Sequence, residues 1–276
     1  MRERAKKVAS ALGYDGATAG LQDLRKSPTE IIAFVADSLT TSWETGMALE
    51  GVQQAVAREG VLVLAAETQN NPTQYPEILS YMLAQQPKAL IYCCIHTRKI
   101  KIPPALRSAQ FPVYLLNCYA DDVAYPSVVP SDVAGGHRAT QVLIDAGHRL
   151  IATVTGERHR QATTDRLSGY RRALAAADIP FDPALVVDGD WSANAGYSCT
   201  KQLLDIDRPP TAIFCQNDRM ATGCYEALRE RSYSIPNDMS VIGYDDVDIS
   251  RQLFPQLTTL ILRHRAMGRW AMEKLF

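Results

Sequence analysis

Two apolar segments of this chain each end in side chains that can hydrogen-bond to a ligand. Residues 212–215 lead into Asn217, and residues 241–244 lead into Asp245. An amide both donates and accepts hydrogen bonds, and a carboxylate accepts from two neighbouring hydroxyl groups. Each apolar segment has the length and composition of a buried parallel strand, and open α/β sheets bind ligands at the carboxyl ends of such strands. The pattern predicts a site for a small, hydroxyl-rich ligand.

Trp191 is a further candidate, because it follows Gly189 and Asp190 at the end of another predicted strand. An indole face at this place can stack on the C–H face of a sugar ring and keep water away from hydroxyl groups bound at the rim. In the alternative interpretation Trp191 only covers the start of a helix, since Ser192 is a good N-cap. The ligand wall is our working hypothesis.

Helix capping offers a local alternative for Asn217 as well. A helix is predicted to begin near Arg219, and either Asn217 or Asp218 could cap it. We expect Asp218 to be the cap and Asn217 to face the ligand.

Two arginines before or within the start of another predicted helix could also contact the ligand. Arg166 offers a planar fork of donors that suits adjacent hydroxyl groups or a carboxylate. Arg160 belongs to the basic cluster 158–160, and such clusters are also typical of solvated loops. A phosphate or acid group on the ligand would favour Arg160 as a contact.

The first half of the chain supplies three more candidates. Asp37 and Ser42 follow the first predicted strand, and Asn117 ends the fourth. Trp43 either adds an apolar wall or simply starts a helix. The six cysteines show no metal-ligand spacing, so neither a metal site nor a cofactor is predicted.

Apolar strand-like segments alternate with helical patterns from Ile31 onward. Strands are predicted at 31–36, 61–66, 89–94, 113–117, 127–130, 150–155, 185–188, 212–215, 241–244 and 258–262. Helices are predicted at 43–59, 76–85, 135–146, 165–177, 194–204, 219–230 and 265–275. Repeated strand–helix–strand units form parallel sheets through right-handed crossovers. Because there are too many strands for one sheet, we predict an α/β fold of two doubly wound subdomains with a ligand cleft between them.

Bulk properties exclude several classes of protein. A chain of 276 residues is long enough for two medium domains. The net charge of −1 gives no overall basic excess for gripping nucleic acid. The longest apolar runs, such as 61–66 and 89–95, are too short to span a membrane, and no apolar signal-peptide region follows the N-terminus. Free cysteines in apolar contexts fit a reduced, cytoplasmic location.

Eight short motifs, in the same order, are shared with one known family. They are Leu-Gly-Tyr at 12–14, Asp-Val-Ala-Gly-Gly at 132–136, Ala-Gly-His-Arg at 146–149, Arg-Leu-Ser-Gly-Tyr at 166–170, Gly-Asp-Trp-Ser at 189–192, Asn-Asp-Arg-Met-Ala at 217–221, Gly-Tyr-Asp-Asp at 243–246 and Leu-Thr-Thr at 257–259. Together they resemble the lactose/galactose-repressor family of bacterial transcription regulators from about Val8 to the last residue. The resemblance implies a dimeric sensor of two α/β subdomains, an effector in the cleft, and hinge helices leading to an N-terminal helix-turn-helix. It also implies that Arg166 points into the cleft.

The resemblance suggests three regions along the chain. Residues 1–27 would be a remnant of the DNA-binding domain and hinge helix, with Leu24 and Arg25 as the hinge residues that contact DNA in a full-length relative. Residues 28–131 with 258–276 would form the N-terminal subdomain, and 132–257 the C-terminal one.

The chain departs from the family pattern in several places. The helix-turn-helix is largely missing, Asp15-Gly16 replaces the usual Pro-Asn, and the family pattern continues past Phe276. We therefore interpret the chain as truncated at both ends or as an unusually short member. Thr40-Thr41-Ser42-Trp43 stands where the family often has Asn-Pro-Phe-Phe, which exchanges aromatic walls for hydroxyl groups.

Three functional classes follow from these observations. The leading hypothesis is the sensing and dimerisation portion of a sugar-responsive transcriptional regulator, most simply a repressor, which binds operator DNA through the missing N-terminal domain. The alternative is a solute-binding protein of a sugar transporter. An enzyme is not predicted, because no G-x-S-x-G, P-loop, H-E-x-x-H or dinucleotide glycine motif is present. Asp245 and Asp246 are consecutive, so their side chains point to opposite faces of a strand rather than forming a catalytic pair.

Overall fold

A computed structural model describes residues 30–69, 71 and 75–276 of the chain. The expected N-terminal helix over 2–12 and the hinge stretch over 21–26, with Leu24 and Arg25, lie outside the described residues. No helix among the described residues combines the length and the apolar character needed to cross a bilayer.

The first sheet contains five parallel strands in the order β2-β1-β3-β4-β5. Its strands are β1 (Ile31–Ala36), β2 (Leu62–Glu67), β3 (Ala89–Lys99), β4 (Val113–Tyr119) and β5 (Ser127–Val128). The middle strands are apolar throughout because helices cover both faces, and Phe34 at the centre of β1 is fully buried.

The second sheet contains five more parallel strands, in the order β10-β9-β8-β6-β7. Its strands are β6 (Ile151–Thr155), β7 (Val186–Asp188), β8 (Ala212–Cys215), β9 (Ser240–Asp245) and β10 (Thr258–Ile261). Counted within each sheet, both have the spatial order second, first, third, fourth, fifth. Each sheet therefore reverses its winding between its first and third strands, and a ligand crevice is expected at that reversal.

Nine helices and one short 3₁₀ turn connect the described strands. The helices are α1 (Trp43–Val56), α2 (Tyr75–Ala84), α3 (Pro104–Arg107), α4 (Asp132–Asp145), α5 (Gln161–Ala176), α6 (Ala193–Leu204), α7 (Asp218–Glu230), α8 (Ile249–Gln252) and α9 (His264–Glu273), and the 3₁₀ turn is Pro183–Leu185. Four apolar clusters, one on each face of each sheet, form the two cores. We call the first sheet with α1–α3 and α9 the first lobe, and the second sheet with α4–α8 the second lobe.

The last 19 residues of the chain are divided between the lobes, which corrects the predicted assignment of 258–276 to the N-terminal subdomain. Strand β10 pairs with β9, with Thr258 opposite Ile242, and so belongs to the second sheet. Leu260 packs against the core of the second lobe, which explains this pairing. Only α9 joins the first lobe, where Met267 and Met272 complete the core.

Helices α1 and α9 approach each other closely at two glycines. A Cβ atom on Gly51 would lie 2.0 Å from the Arg265 carbonyl oxygen, and one on Gly268 would lie 2.0 Å from the Ala48 carbonyl oxygen. The atoms in the way belong to the backbone, so a larger residue at either position would push the two helices apart. Glycine at both positions therefore allows the end of the chain to dock on a helix from its beginning.

The predicted strands all exist, with ends that differ by a few residues. Helix α4 begins at Asp132 and α5 at Gln161, three and four residues before their predicted starts at 135 and 165. Helices α3 and α8 were not predicted, because four residues are too few to show a helical period.

Candidate functional site

A cavity of about 880 Å³ lies between the lobes, at the carboxyl ends of both sheets. Six of the eight predicted ligand residues line it: Ser42 and Asn117 from the first lobe, and Arg166, Trp191, Asn217 and Asp245 from the second. Pro130, Leu262 and His264, which lie where the chain crosses between the lobes, also line it. The strands thus bring these predicted residues together from positions far apart in the sequence.

Asp245 ends β9 with its side chain 90% buried and no hydrogen-bond donor among the described residues. Its closest ionic partner is Arg166, whose Nη1 lies 3.9 Å from Oδ1. Burial raises the pKa of Asp245 well above its usual value, the charge of Arg166 opposes this rise, and the charges of Asp218 and Glu44 add to it. Its φ of +118° is unfavourable for a non-glycine residue, so the surrounding structure holds this carboxyl group in a costly conformation.

Arg166 is fixed in place before any ligand arrives. Its Nε donates to Asp132 Oδ1 at 2.8 Å, and its Nη1 donates to the backbone carbonyl of Gln216. The guanidinium lies 3.8 Å from the centre of the Tyr244 ring, as in a cation–π contact. Although burial opposes it, the charges of Asp132 and Asp245 raise the pKa of Arg166, which therefore stays charged.

Trp191 forms an aromatic wall in a left-handed backbone conformation, with φ +71°. Its ring packs so closely on Gly156 that a Cβ atom there would overlap it, at 1.9 Å. On the other lobe His96 stacks against the indole, with ring centres 6.4 Å apart and planes at 21°. Burial lowers the pKa of His96 to about 4, and nearby Arg160 and Arg98 lower it further, so the stacking imidazole is neutral.

The capping roles of Asn217 and Asp218 are the reverse of those predicted. Asn217 is the N-cap of α7, and its Oδ1 accepts from the backbone N–H of Met220 at 2.7 Å. Its Nδ2 donates to the Trp191 carbonyl oxygen at 3.0 Å, while the residue still lines the cavity. Asp218 is fully buried behind Asn217. Its carboxylate accepts hydrogen bonds there from Thr259 Oγ1 at 2.5 Å and from the Val247 N–H at 3.0 Å.

Asn117 and Ser42 line the cavity from the first lobe. Asn117 has φ +57°, accepts from Thr97 Oγ1 at 2.6 Å, and donates to the Ile95 carbonyl at 2.7 Å. It thereby holds the irregular end of β3, where the register shifts between Cys93 and Arg98. The Ser42 hydroxyl donates to Glu44 at 2.6 Å, so it positions a carboxylate that also lines the cavity.

Asp37 and Arg160 lie behind the cavity wall and do not line it. Asp37 is only 1% exposed, pairs with Arg98 at 2.8 Å and accepts from the Ile95 N–H at 3.0 Å, so it supports the end of β3. Arg160 donates to Glu157 at 2.9 Å, and the Glu157 side chain takes the place in the lining that was predicted for the arginine.

Several lining residues were missed in the sequence. His96 and Thr97 follow the apolar segment 89–94, and the same strand-end rule would have found them. Glu44, in the first turn of α1, gave no such signal. His264 is 2% exposed and borders Trp43 edge-to-face at 5.4 Å. Burial lowers its pKa to about 3 with a contribution from Arg166, so the imidazole is neutral.

Within the described residues, no group of three or more His, Cys, Asp or Glu side chains is placed to hold a metal ion. All six cysteines are free and buried. The side chains that line the cavity can form hydrogen bonds, ion pairs and aromatic contacts.

The profile of the periplasmic binding protein-like domain matches residues 140–276 of the chain. The ribose operon repressor of Haemophilus influenzae is 27% identical over 276 residues, which are 100% of this chain and 82% of the repressor. The HTH-type transcriptional repressor PurR of Histophilus somni is 28% identical over 255 residues, which are 92% of this chain and 76% of the repressor.

A solved structure has the same fold. A putative transcriptional regulator of Rhizobium etli superposes with a TM-score of 0.80 at 24% identity, over 90% of each chain. At this identity the likeness establishes the two-lobed architecture and nothing finer.

Proposed function

Because the chain belongs to the lactose/galactose-repressor family of bacterial transcription regulators, we propose that it is the effector-sensing and dimerisation portion of a sugar-responsive repressor. The single observation that carries this proposal is the cavity between the lobes, where strand ends of both sheets bring polar and aromatic side chains together. A ligand that touches both lobes binds best to one relative orientation of them. It therefore shifts the lobe equilibrium toward that orientation.

Four second-lobe residues would make the principal contacts. Asp245 accepts hydrogen bonds from the effector, Asn217 lies beside it, Arg166 donates from a fixed position, and Trp191 covers an apolar ring face. The left-handed backbones of Trp191 and Asp245 support this assignment, because strained conformations cluster at binding sites.

Asn117 and Ser42 would close the site from the first lobe, while Asp37 and Arg160 would act by positioning cavity residues. Since Asn117 already uses its amide to hold β3, its main contribution is the shape of the first-lobe wall. Ser42 retains acceptor capacity on its hydroxyl oxygen.

Isothermal titration against sugars, sugar derivatives and nucleobases tests the proposal. We expect one compound of this panel to bind, and Asp245→Ala to abolish its binding while the far-ultraviolet circular dichroism stays unchanged. Glu226→Ala, an exposed carboxylate on α7, is the matched control and should bind normally. The absence of binding by the whole panel would contradict an effector-sensing role.

DNA recognition and dimerisation complete the proposal. Operator DNA would be bound through an N-terminal domain, with Leu24 and Arg25 at the hinge, and the working form would be a cytoplasmic homodimer. Exposed apolar side chains support an interface between copies: Leu62 is 52% exposed and Ile261 62%. Light scattering coupled to size exclusion should give twice the mass of the chain.

The alternative solute-binding role and an enzymatic role are less well supported. Both curated relatives named above are transcriptional repressors rather than transport proteins or enzymes. In the cavity, the carboxylates of Asp245 and Glu44 lie on different lobes, and the hydroxyl that contacts Glu44, that of Ser42, has no hydrogen bond to a described histidine.

A further inference from the structure

Acidic side chains outnumber basic ones around the interior of the cavity. Asp132, which lies outside the lining, and Asp245, which is part of it, both face Arg166, at 2.8 Å and 3.9 Å, so one guanidinium serves two carboxyl groups. Glu44 adds a third carboxylate from the first lobe. Its charge reaches Asp245 strongly enough to raise the pKa of that carboxyl group. The two histidines of the wall, His96 and His264, are neutral and do not balance this excess.

The other charged residues that line the cavity do not offset the acidic side chains of its interior. Glu157 is paired with Arg160, and Asp248 with Arg251. Asp190 also lines the cavity, but it is exposed and accepts from the Ser192 N–H at 2.9 Å. Arg219 also lines the cavity, but it is exposed to solvent, where water screens its charge. In the described part of the chain, the cavity interior therefore offers an anionic ligand no cation that is not already paired.

Three groups of the cavity wall have unused hydrogen-bonding capacity, and one of them is the buried indole Nε1–H of Trp191, a donor. The Asp245 carboxylate is 90% buried and accepts no hydrogen bond from any described residue. The Nε2 atom of His264 is buried without a partner in the described structure, although the residue lines the cavity. A buried acceptor without a donor is costly, so the Asp245 carboxylate points to a ligand that supplies N–H or O–H donors. Trp191 Nε1–H needs an acceptor, and His264 Nε2 donates or accepts according to its tautomer, so a ligand with hydroxyl groups suits both.

Glu44, which is half-buried, lines the cavity from the first lobe. Its carboxylate accepts from the Ser42 hydroxyl and forms no ion pair with a described residue. A neutral polyol would satisfy hydrogen bonds here but would also displace water from the carboxylates, which raises the cost of their charge. An ammonium group supplies three donors and the missing positive charge together.

We propose that the effector is a small polyhydroxylated molecule bearing an amino group, which binds as an ammonium between Glu44 and Asp245. This inference rests on the proposed function and narrows it. Phosphorylated and acidic sugars are correspondingly excluded from the interior, because they would add negative charge to a site whose single buried guanidinium is already paired. The matching amine and alcohol differ in one group only, so their comparison isolates the charge.

Matched sets of sugars test the proposal by isothermal titration at pH 7. Each set holds a hexose, its 2-amino analogue, its N-acetylated amine and its 6-phosphate, with glucose, galactose and mannose as the three skeletons. We expect an amine to bind more tightly than its alcohol and its N-acetyl analogue, by about tenfold or more, and the phosphate not to bind. Tighter binding of an alcohol or a phosphate overturns the inference and leaves the sensing function intact. No binding by any set, together with a negative result in the wider panel, contradicts both.

A pair of variants separates charge from shape. Glu44→Gln keeps the size of the side chain, and we expect it to weaken binding of the amine about tenfold while the affinity for the alcohol changes by less than about twofold. Glu59→Gln makes the same chemical change at an exposed position beyond the other end of α1 and should alter neither. Equal losses for amine and alcohol in Glu44→Gln would show that Glu44 only shapes the wall, and the inference would be wrong.

Discussion

The two lobes share one strand order but use a buried carboxylate–guanidinium pair for different purposes. In the first lobe Asp37 pairs with Arg98, whose side chain is 31% exposed and does not line the cavity. In the second lobe Asp132 pairs with Arg166, which is 6% exposed and is part of the cavity wall. The first pair supports a strand end from outside, whereas the second places a fixed cation where a ligand can reach it.

The fourth strand of each sheet extends this comparison. Asn117 of β4 and Asp245 of β9 both have positive φ and both line the cavity. Asn117 uses its amide to hold the neighbouring strand, but Asp245 accepts no hydrogen bond from the part of the chain that the structure describes. The difference teaches that the first lobe uses the polar residue at the end of its fourth strand for its own structure, while the second lobe leaves the equivalent residue available to a ligand. Four pairs of variants, described below, test this contrast between the lobes.

The largest difference should appear when the two arginines are removed in turn. Arg166→Met leaves Asp132 buried without its cation, and we expect a loss of about 3–5 kcal/mol in the free energy of unfolding. Arg98→Met should cost less, about 1–3 kcal/mol, because Asp37 still accepts from the Ile95 N–H and water can reach the vacated site. Urea unfolding followed by circular dichroism measures both, and equal losses would remove the distinction between the pairs.

The two cavity tryptophans test which lobe holds the effector. Trp191→Ala should weaken effector binding by about 1–3 kcal/mol, as for loss of a buried aromatic anchor, with the fold intact. Trp43→Ala removes a first-lobe ring that borders His264, and its effect on binding should be smaller. Titration calorimetry measures both, with Tyr81→Ala as a control on an exposed aromatic side chain outside the cavity. A larger loss for Trp43→Ala would reverse the assignment.

Acid should destabilise the protein through His264. Its pKa, about 3 in the folded chain, lies below the unfolded value, so the folded state binds fewer protons and stability is lost as pH falls from about 6.5 toward 3. Between pH 7 and pH 5 this loss amounts to about 2 kcal/mol. The raised pKa of Asp218, about 6, acts in the opposite direction between about pH 4 and 6.

The two effects separate in a difference measurement. Because Asp218 is present in both proteins, subtracting the unfolding curves of His264→Gln from those of the parent isolates the histidine. His96→Gln should show a smaller difference, since that side chain is half-buried and its charged form is partly solvated. A parent and a His264→Gln variant with parallel pH profiles would show that this histidine does not remain neutral.

The smallest contrast concerns helix starts. Asn217→Ala removes a cap bond to Met220 and should lower the free energy of unfolding by about 1 kcal/mol. Ser42 precedes α1 without such a bond, although its buried hydroxyl donates to Glu44, so Ser42→Ala should cost less than Asn217→Ala, about 0.5 kcal/mol. Thermal unfolding monitored by calorimetry resolves the pair if both are measured in one buffer, and a costlier Ser42→Ala would contradict the cap assignments.

The strand pattern and much of the cavity could be predicted from the sequence because parallel strands impose a local rule. A buried apolar segment followed by a polar residue identified Asn117, Asn217 and Asp245 without knowledge of the fold. The rule failed for Asp37. This residue also follows a strand, but its side chain lies behind the cavity wall, where it pairs with Arg98.

The remaining errors concern contacts between distant parts of the chain. Asp218 was predicted to cap α7. Its carboxylate instead accepts hydrogen bonds from Thr259 and Val247, which come close to it only in the folded protein. No sequence pattern marked His264 as a cavity residue, because its position depends on how the chain crosses from β10 to α9. The same crossing explains why the last strand was assigned to the wrong lobe.

The docking of α9 onto α1 has a consequence for how the protein is made. The second lobe, from α4 to β10, is continuous in the chain and can fold as soon as it leaves the ribosome. The first lobe emerges earlier, yet its core lacks Met267, Ala271 and Met272 until α9 has followed the second lobe out of the ribosome. Of the two lobes, the one that emerges first is therefore the one that completes its core last, and in the meantime its apolar face stays open in the nascent chain, where a chaperone could bind it.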